Sequence, residues 1–141
     1  MAMPALHALR SAKPQARLVA ITMLTGSRDI LHDSPCLDEV ICFDFQRAGL
    51  VQSFCFILGL RRRRFDAVIA TYPSNRLEYN VIQTLLGAKK TVGHRYRHRA
   101  LRCANFLKNT AVMEDDALSN IEENRRLVEA LTGKVAALAL R

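Results

Sequence analysis

Residues Phe65 to Arg95 read FDAVIATYPSNRLEYNVIQTLLGAKKTVGHR. Residues 66–71 hold a short apolar run around Val68 and Ile69, the length of a strand and too short for a helix. Tyr72-Pro73-Ser74-Asn75 is a turn signal that can also cap a helix. From Arg76, apolar residues recur at Leu77, Val81, Ile82, Leu85 and Leu86, which is helical spacing. Gly87 stands where a helix end favours glycine, and residues 90–93 read as a second short strand. Strand, polar turn, helix, glycine, strand is a βαβ unit, and such units build parallel sheets. Its polar turn lies at the carboxyl end of a strand, the edge where open α/β sheets hold ligands.

Working outward, residues 4–12 predict a helix that Pro14 ends, because the residue before proline avoids the α region. Residues 17–24 (RLVAITML) predict a buried strand. Thr25-Gly26-Ser27 reads as a turn and residues 28–32 as a short helix. Residues 38–45 (DEVICFDF) predict a second strand, and residues 48–64 a helix, apolar nearly all round and strongly basic at its end. Beyond the central unit come a dense basic run, HRYRHRALR at 94–102, a short strand within 106–113 and a last helix over 117–131. That helix is expected to be capped by Asp115 or Asp116, to bury Leu118, Ile121, Val128 and Leu131 on one face, and to stop at Gly133. The alternation predicts an α/β fold, a Rossmann-like parallel sheet flanked by helices. The order starts on a helix, whereas the first strand of a doubly wound sheet is normally central. The expectation is therefore a domain incomplete at its N-terminus, with unpaired backbone groups on two neighbouring strands.

The chain has 141 residues, half of them hydrophobic, which suffices for one domain with a core and argues against disorder. Its net charge of +8 points to an anionic partner: nucleic acid, acidic lipid headgroups or phosphorylated sugars. Cys36, Cys42, Cys55 and Cys103 show no C-x-x-C spacing, and no His spacing completes a zinc site, so buried free thiols are expected. The segment MAMPALHALRSAKP lacks the apolar region of a secretory leader. The most apolar run, residues 48–60, is too short to cross a bilayer. A soluble, cytoplasmic protein is the expectation.

PALHALRSAKPQARLVAIT, LDEVICFD, LRRRRFDAVIATYPSNRLEYNVIQTLLGAKKTVGHRYR and SNIEENRRLVEALTG, in that order, resemble the N-terminal domain of the bacterial glycosyltransferase family 9. These are the heptosyltransferases of lipopolysaccharide assembly and their relatives. The resemblance covers residues 4–133 and implies the N-terminal half of a GT-B fold. Residues 1–133 would form the acceptor-binding domain, and 134–141 the start of an interdomain segment or a tail. It further implies an anionic, lipid-linked saccharide acceptor. A nucleotide-sugar donor such as ADP-heptose would be held by a second domain, without a metal. The sequence departs from that pattern in two places. It has no counterpart of the family's first strand and of the loop whose Asp is the proposed general base, and no donor domain. No catalytic residue, cofactor-binding residue or metal ligand is therefore assigned, and transfer by these residues alone is not expected. A partner chain could supply the donor domain. Ser119 falls where many relatives carry His.

The acceptor-binding candidates are Ser74, Asn75 and Arg76 after one strand, and His94, Arg95 and Arg97 after the next. Hydroxyl and amide groups suit sugar hydroxyls, and guanidinium groups suit a phosphate or carboxylate. The plainer alternatives are a helix N-cap for the first three and a solvated basic loop for the others. Tyr96 is the lone aromatic among residues 94–102, and single-stranded nucleic acid usually meets several stacking rings, which disfavours that partner. Arg61 to Arg64 read as a solvated helix end on the edge opposite the cleft, whose best use would be peripheral contact with an anionic inner membrane. His7 and His32 read as structural. The competing function is a small basic α/β binding module for nucleic acid or an anionic membrane surface. A free-standing hydrolase is disfavoured by the absence of a G-x-S-x-G elbow or a phosphate-cradling glycine loop.

Overall fold

The structure, a computed structural model, describes residues 3–71, 77–95, 110–115 and 117–133. In chain order the elements are α1 (Met3–Ala12), β1 (Val19–Thr22), α2 (Thr25–His32), β2 (Glu39–Cys42), α3 (Leu50–Arg61), β3 (Ala67–Ile69), α4 (Leu77–Leu86), β4 (Lys90–Arg95), β5 (Thr110–Met113) and α5 (Asn120–Thr132). This is the expected α/β alternation. Among the described residues every strand pairing is parallel. β1 lies beside β2 with Ile21 opposite Ile41. β3, β4 and β5 form a second ladder in that order, with Val68 opposite Thr91 and Gly93 opposite Ala111.

Helices cover both faces. Ala5, Ala8 and Leu9 of α1 pack with Val128 of α5, joined by Leu18, Ile69 and Leu131. Ile57 and Leu60 of α3 pack with Leu86 of α4, joined by Ile41, Phe45, Phe56, Phe65 and Val68. Val68 and Ile69 are neighbours in β3 and so point to opposite faces; each enters a different cluster. That is why β3 reads as a continuous apolar run rather than an alternating one. Phe43 stacks on Phe56 with ring centroids 3.9 Å apart, and Phe45 meets Phe56 edge-on at 5.7 Å. These rings anchor the α3 side of the core.

The two ladders do not pair with each other. The carbonyls of Leu18 and Thr22 accept hydrogen bonds from Asp38 (2.9 Å) and Phe43 (2.9 Å), so these residues turn their polar groups toward β2. Successive residues of a parallel strand alternate sides, so Val19 and Ile21 turn theirs away from β2. In the same way Asp66 accepts from Lys90 (3.0 Å) and Ala70 donates to Val92 (3.0 Å), which turns Ala67 and Ile69 away from β4. Both of these edges line one open cavity of about 1730 Å³. The expectation of two strand edges with free backbone groups thus falls on β1 and β3.

One polar clasp holds the amino-terminal half. The Arg10 guanidinium donates to the carbonyls of Cys36 (3.2 Å) and Ala16 (2.6 Å) and to Asp38 Oδ2 (2.6 Å). Asp38 Oδ2 also accepts from the Leu18 backbone N–H at 2.6 Å. The end of α1, the entry to β1 and the entry to β2 are therefore tied at one point. The Leu18 N–H, and then Arg10, hold the Asp38 carboxyl below its ordinary 3.8.

Several expectations are corrected in detail. Thr25-Gly26-Ser27 is the first turn of α2 rather than a separate turn. The α3 helix begins after Gly49, whose extended φ of −65° and ψ of 163° make it the N-cap. At α5 the cap is Ser119, whose side chain accepts from the Glu122 N–H, and neither Asp115 nor Asp116. The S-x-x-E spacing of Ser119 and Glu122 is the capping-box signature. Leu118 precedes α5 and is partly exposed, while Leu127 and Val128 are its most buried apolar residues. Gly133 does end the helix, in the left-handed conformation at φ 70°. Gly87 ends α4 at φ 67°, and a Cβ there would lie 3.2 Å from the Arg61 guanidinium. Of the described cysteines, Cys36 is buried, Cys42 half-buried and Cys55 exposed, because the outer face of α3 is apolar yet uncovered.

Candidate functional site

The parallel strands set a common carboxyl edge, where chain leaves β1 through Thr22 and Leu24 and leaves β3 through Ala70 and Thr71. These residues line the cavity together with Ser27 of α2, Tyr79 and Gln83 of α4, and Asn124 of α5. Gln83 is buried and donates through Nε2 to the Val92 carbonyl at 3.2 Å. Its Oε1 has no hydrogen-bond partner among the described residues. A buried acceptor left unmet costs about 1–3 kcal/mol, and this oxygen is itself shielded from the cavity.

Arg95, the last residue of β4, is exposed and reaches the same edge. Its carbonyl accepts from the Glu114 N–H at 3.1 Å, in the register that pairs Arg95 with Met113. His94 takes the opposite face by strand alternation. It is 0 % exposed and its Nδ1 lies 3.2 Å from Oε2 of Glu123, itself 1 % exposed. Glu123 also accepts from the Asp115 backbone N–H at 2.8 Å and faces Arg126 at 3.3 Å. His94 therefore ties β4 to α5 under the sheet and does not stand at the cleft surface beside Arg95. Ser74, Asn75, Arg76 and Arg97 lie outside the described residues.

Sequence reasoning missed the His94–Glu123 pair and the cavity wall formed by Tyr79, Gln83 and Asn124. The signal for Gln83 was a polar residue between Ile82 and the Leu85–Leu86 pair, on the apolar side of α4. His7 was read as structural without a partner; its Nδ1 lies 3.0 Å from Cys36 Sγ. The basic run after α3 was expected on the edge opposite the cleft; it does lie at the amino end of the sheet, but Arg63 and Arg64 line the cavity. Arg63 donates to both carboxylate oxygens of Glu39 at 2.8 Å. Glu39 opens β2, so this contact marks the amino end of the sheet, where Arg17, Glu39 and Arg63 line the other end of the same cavity. Arg63 and then Arg17 hold the Glu39 carboxyl below its ordinary 4.5, against the opposing effect of burial. Among the described residues no three His, Cys, Asp or Glu side chains gather as a metal site. None of their helices is long and apolar enough to cross a membrane.

Fold and cleft together define a parallel, Rossmann-like α/β domain with an open carboxyl edge. No protein-family model matches the chain, and no curated protein sequence matches it. Among solved structures it is similar to the Escherichia coli ADP-heptose lipopolysaccharide heptosyltransferase II, with a TM-score of 0.63 and 17% sequence identity. The alignment covers 99% of this chain and 42% of the heptosyltransferase, so the chain spans less than half the length of that protein. The likeness establishes the fold: an α/β arrangement of parallel strands and flanking helices, similar to part of a GT-B glycosyltransferase.

Proposed function

We propose that these residues form the acceptor-binding half of a heptosyltransferase-like glycosyltransferase. The full reaction would move a sugar from a nucleotide-sugar, such as ADP-heptose, to an anionic, lipid-linked saccharide of the lipopolysaccharide type. The observation that supports this most is the alignment of nearly the entire chain with one part of a heptosyltransferase. The carboxyl edge supplies matching chemistry. Arg95 offers a guanidinium to a carboxylate or phosphate, and Thr71 and Ser27 offer hydroxyls. Ser74, Asn75, Arg76 and Arg97 are proposed to extend the same contact surface.

The proposal for the 141 residues is binding rather than turnover. The nucleotide-sugar would be held by a donor domain, supplied by further chain or by a partner, and the setting would be cytoplasmic. Calorimetric titration at low salt tests it, using a carboxylate-bearing acceptor saccharide, a neutral saccharide of the same size and a single-stranded oligonucleotide. The anionic saccharide should bind, added salt should weaken it, and Arg95→Ala should weaken it about tenfold or more, as loss of a charge-assisted contact does. Tighter binding of the oligonucleotide would instead favour the basic binding-module reading. No binding of either anion would remove both readings.

A further inference from the structure

Helix α3 is apolar on two faces, and only one of them is used. Ile57 and Leu60 face the core. Leu50 is 91% exposed, Val51 77%, and Phe54 and Leu58 are also exposed. At about 100° per residue Leu50, Val51, Phe54 and Leu58 fall on one arc of the helix, which adjoins the arc of Ile57 and Leu60 on the core side. Arg62 closes the helix with helical φ of −62° and ψ of −21°. It therefore continues the repeat four residues after Leu58 and sits on the same arc. Between Asp44 and Asp66 the chain carries no acidic side chain, while Arg47, Arg61, Arg62, Arg63 and Arg64 all lie there. Arg63 is engaged with Glu39, and Arg61 reaches over Gly87 to the Leu85 carbonyl at 3.4 Å. Arg62 and Arg64 are exposed.

We propose that the outer face of α3 is a membrane-contact surface. On it Leu50, Val51, Phe54 and Leu58 enter the headgroup–acyl boundary of an anionic bilayer, and Arg62 meets the lipid phosphates. The helix lies along the surface, since no described helix can span a membrane. An apolar stripe bordered only by positive charge suits this occupant. Exposed apolar area gives depth-dependent binding, and each arginine near an anionic surface adds attraction that salt screens. A neutral protein groove would use the stripe but would leave the charge bias without a role. The proposal does not depend on the saccharide reading, because it concerns the lipid itself and another surface.

Vesicle flotation of the purified 141-residue protein tests it. The vesicles are phosphatidylethanolamine–phosphatidylglycerol mixtures and pure phosphatidylcholine, none carrying a saccharide. The protein should float with the anionic vesicles and far less with phosphatidylcholine. The exposed-site double variant Leu50→Asp/Phe54→Asp should fall back by roughly tenfold or more while keeping its circular dichroism spectrum. Arg62→Gln should weaken binding by about fivefold. Unchanged flotation of Leu50→Asp/Phe54→Asp would overturn the proposal, leaving only diffuse charge attraction. So would an absence of vesicle binding together with a dimer that the same double variant dissolves, which would assign the face to a second copy of the chain.

Discussion

Asp38 and Glu123 show how single carboxylates organise this chain. Asp38 gathers a backbone N–H and the Arg10 guanidinium, and its carboxyl is held below 3.8. A depressed folded value contributes stability that is present above the unfolded value and lost as pH falls through the folded one. Acid unfolding should therefore steepen below about pH 4, with Glu39 acting in the same direction. Asp38→Asn should lower the melting temperature at pH 7 and flatten the acid limb of a melting-versus-pH series. Glu123 is a different case, because it is buried between His94, the Asp115 N–H and Arg126. Removing one partner of such a buried group leaves the others uncompensated, so Glu123→Ala should cost about 3–5 kcal/mol. Urea unfolding measures it, and a loss under 1 kcal/mol, the range of an exposed pair, would show that the site is not sealed as described.

At the scale of elements, helix ends and apolar periodicity were legible, and edges and partners were not. Gly87 and Gly133 were readable as stops because only glycine takes a positive φ without penalty; both do, at 67° and 70°. Gly133→Ala should cost about 1 kcal/mol through backbone conformation alone, since nothing lies within 4 Å of its would-be Cβ. Ser119→Ala should cost a similar ~1 kcal/mol through the lost cap. Thermal melts of the two variants and their combination check both values, and additivity is expected at opposite ends of one helix. The cap itself was misassigned because Asp115, Asp116 and Ser119 are all good N-cap types, and the S-x-x-E spacing that singles out Ser119 was overlooked. His94 was read as a cleft residue because it sits in a basic run. Strand alternation sends it inward to Glu123, a residue far away in sequence, and no local pattern encodes that meeting. The exposed face of α3 hid in a similar way, since apolar residues all round a helix look like burial on every side. The edges of β1 and β3 carry a further consequence. In native-state hydrogen exchange, the N–H groups of Val19, Ile21, Ala67 and Ile69, turned away from their ladders, should exchange faster than Val92 in the fully paired β4. Equal protection at all five would mean that the two ladders close on each other in solution.

Across the whole molecule, one open cavity runs beside the free edges of β1 and β3 from their amino to their carboxyl ends. Thr71 and Ser27 line the carboxyl end of the cavity, Arg95 ends β4 on the same sheet edge, and the Glu39 clamp of Arg17 and Arg63 lines the amino end. The proposed bilayer contact on Leu50, Val51, Phe54 and Leu58 of α3 lies outside this cavity, and a chain of net charge +8 has cations for both contacts. The most direct measurement of the central claim is hydrogen-exchange mass spectrometry of the chain with and without a carboxylate-bearing acceptor saccharide. Binding at the carboxyl edge predicts slowed exchange in peptides spanning Ser27, Thr71 and the end of β4 at Arg95, with α3 and Arg61 to Arg64 unchanged. Protection confined to the arginine run after α3, or spread evenly over the basic surface, would contradict the acceptor site and leave only a charge-driven binder.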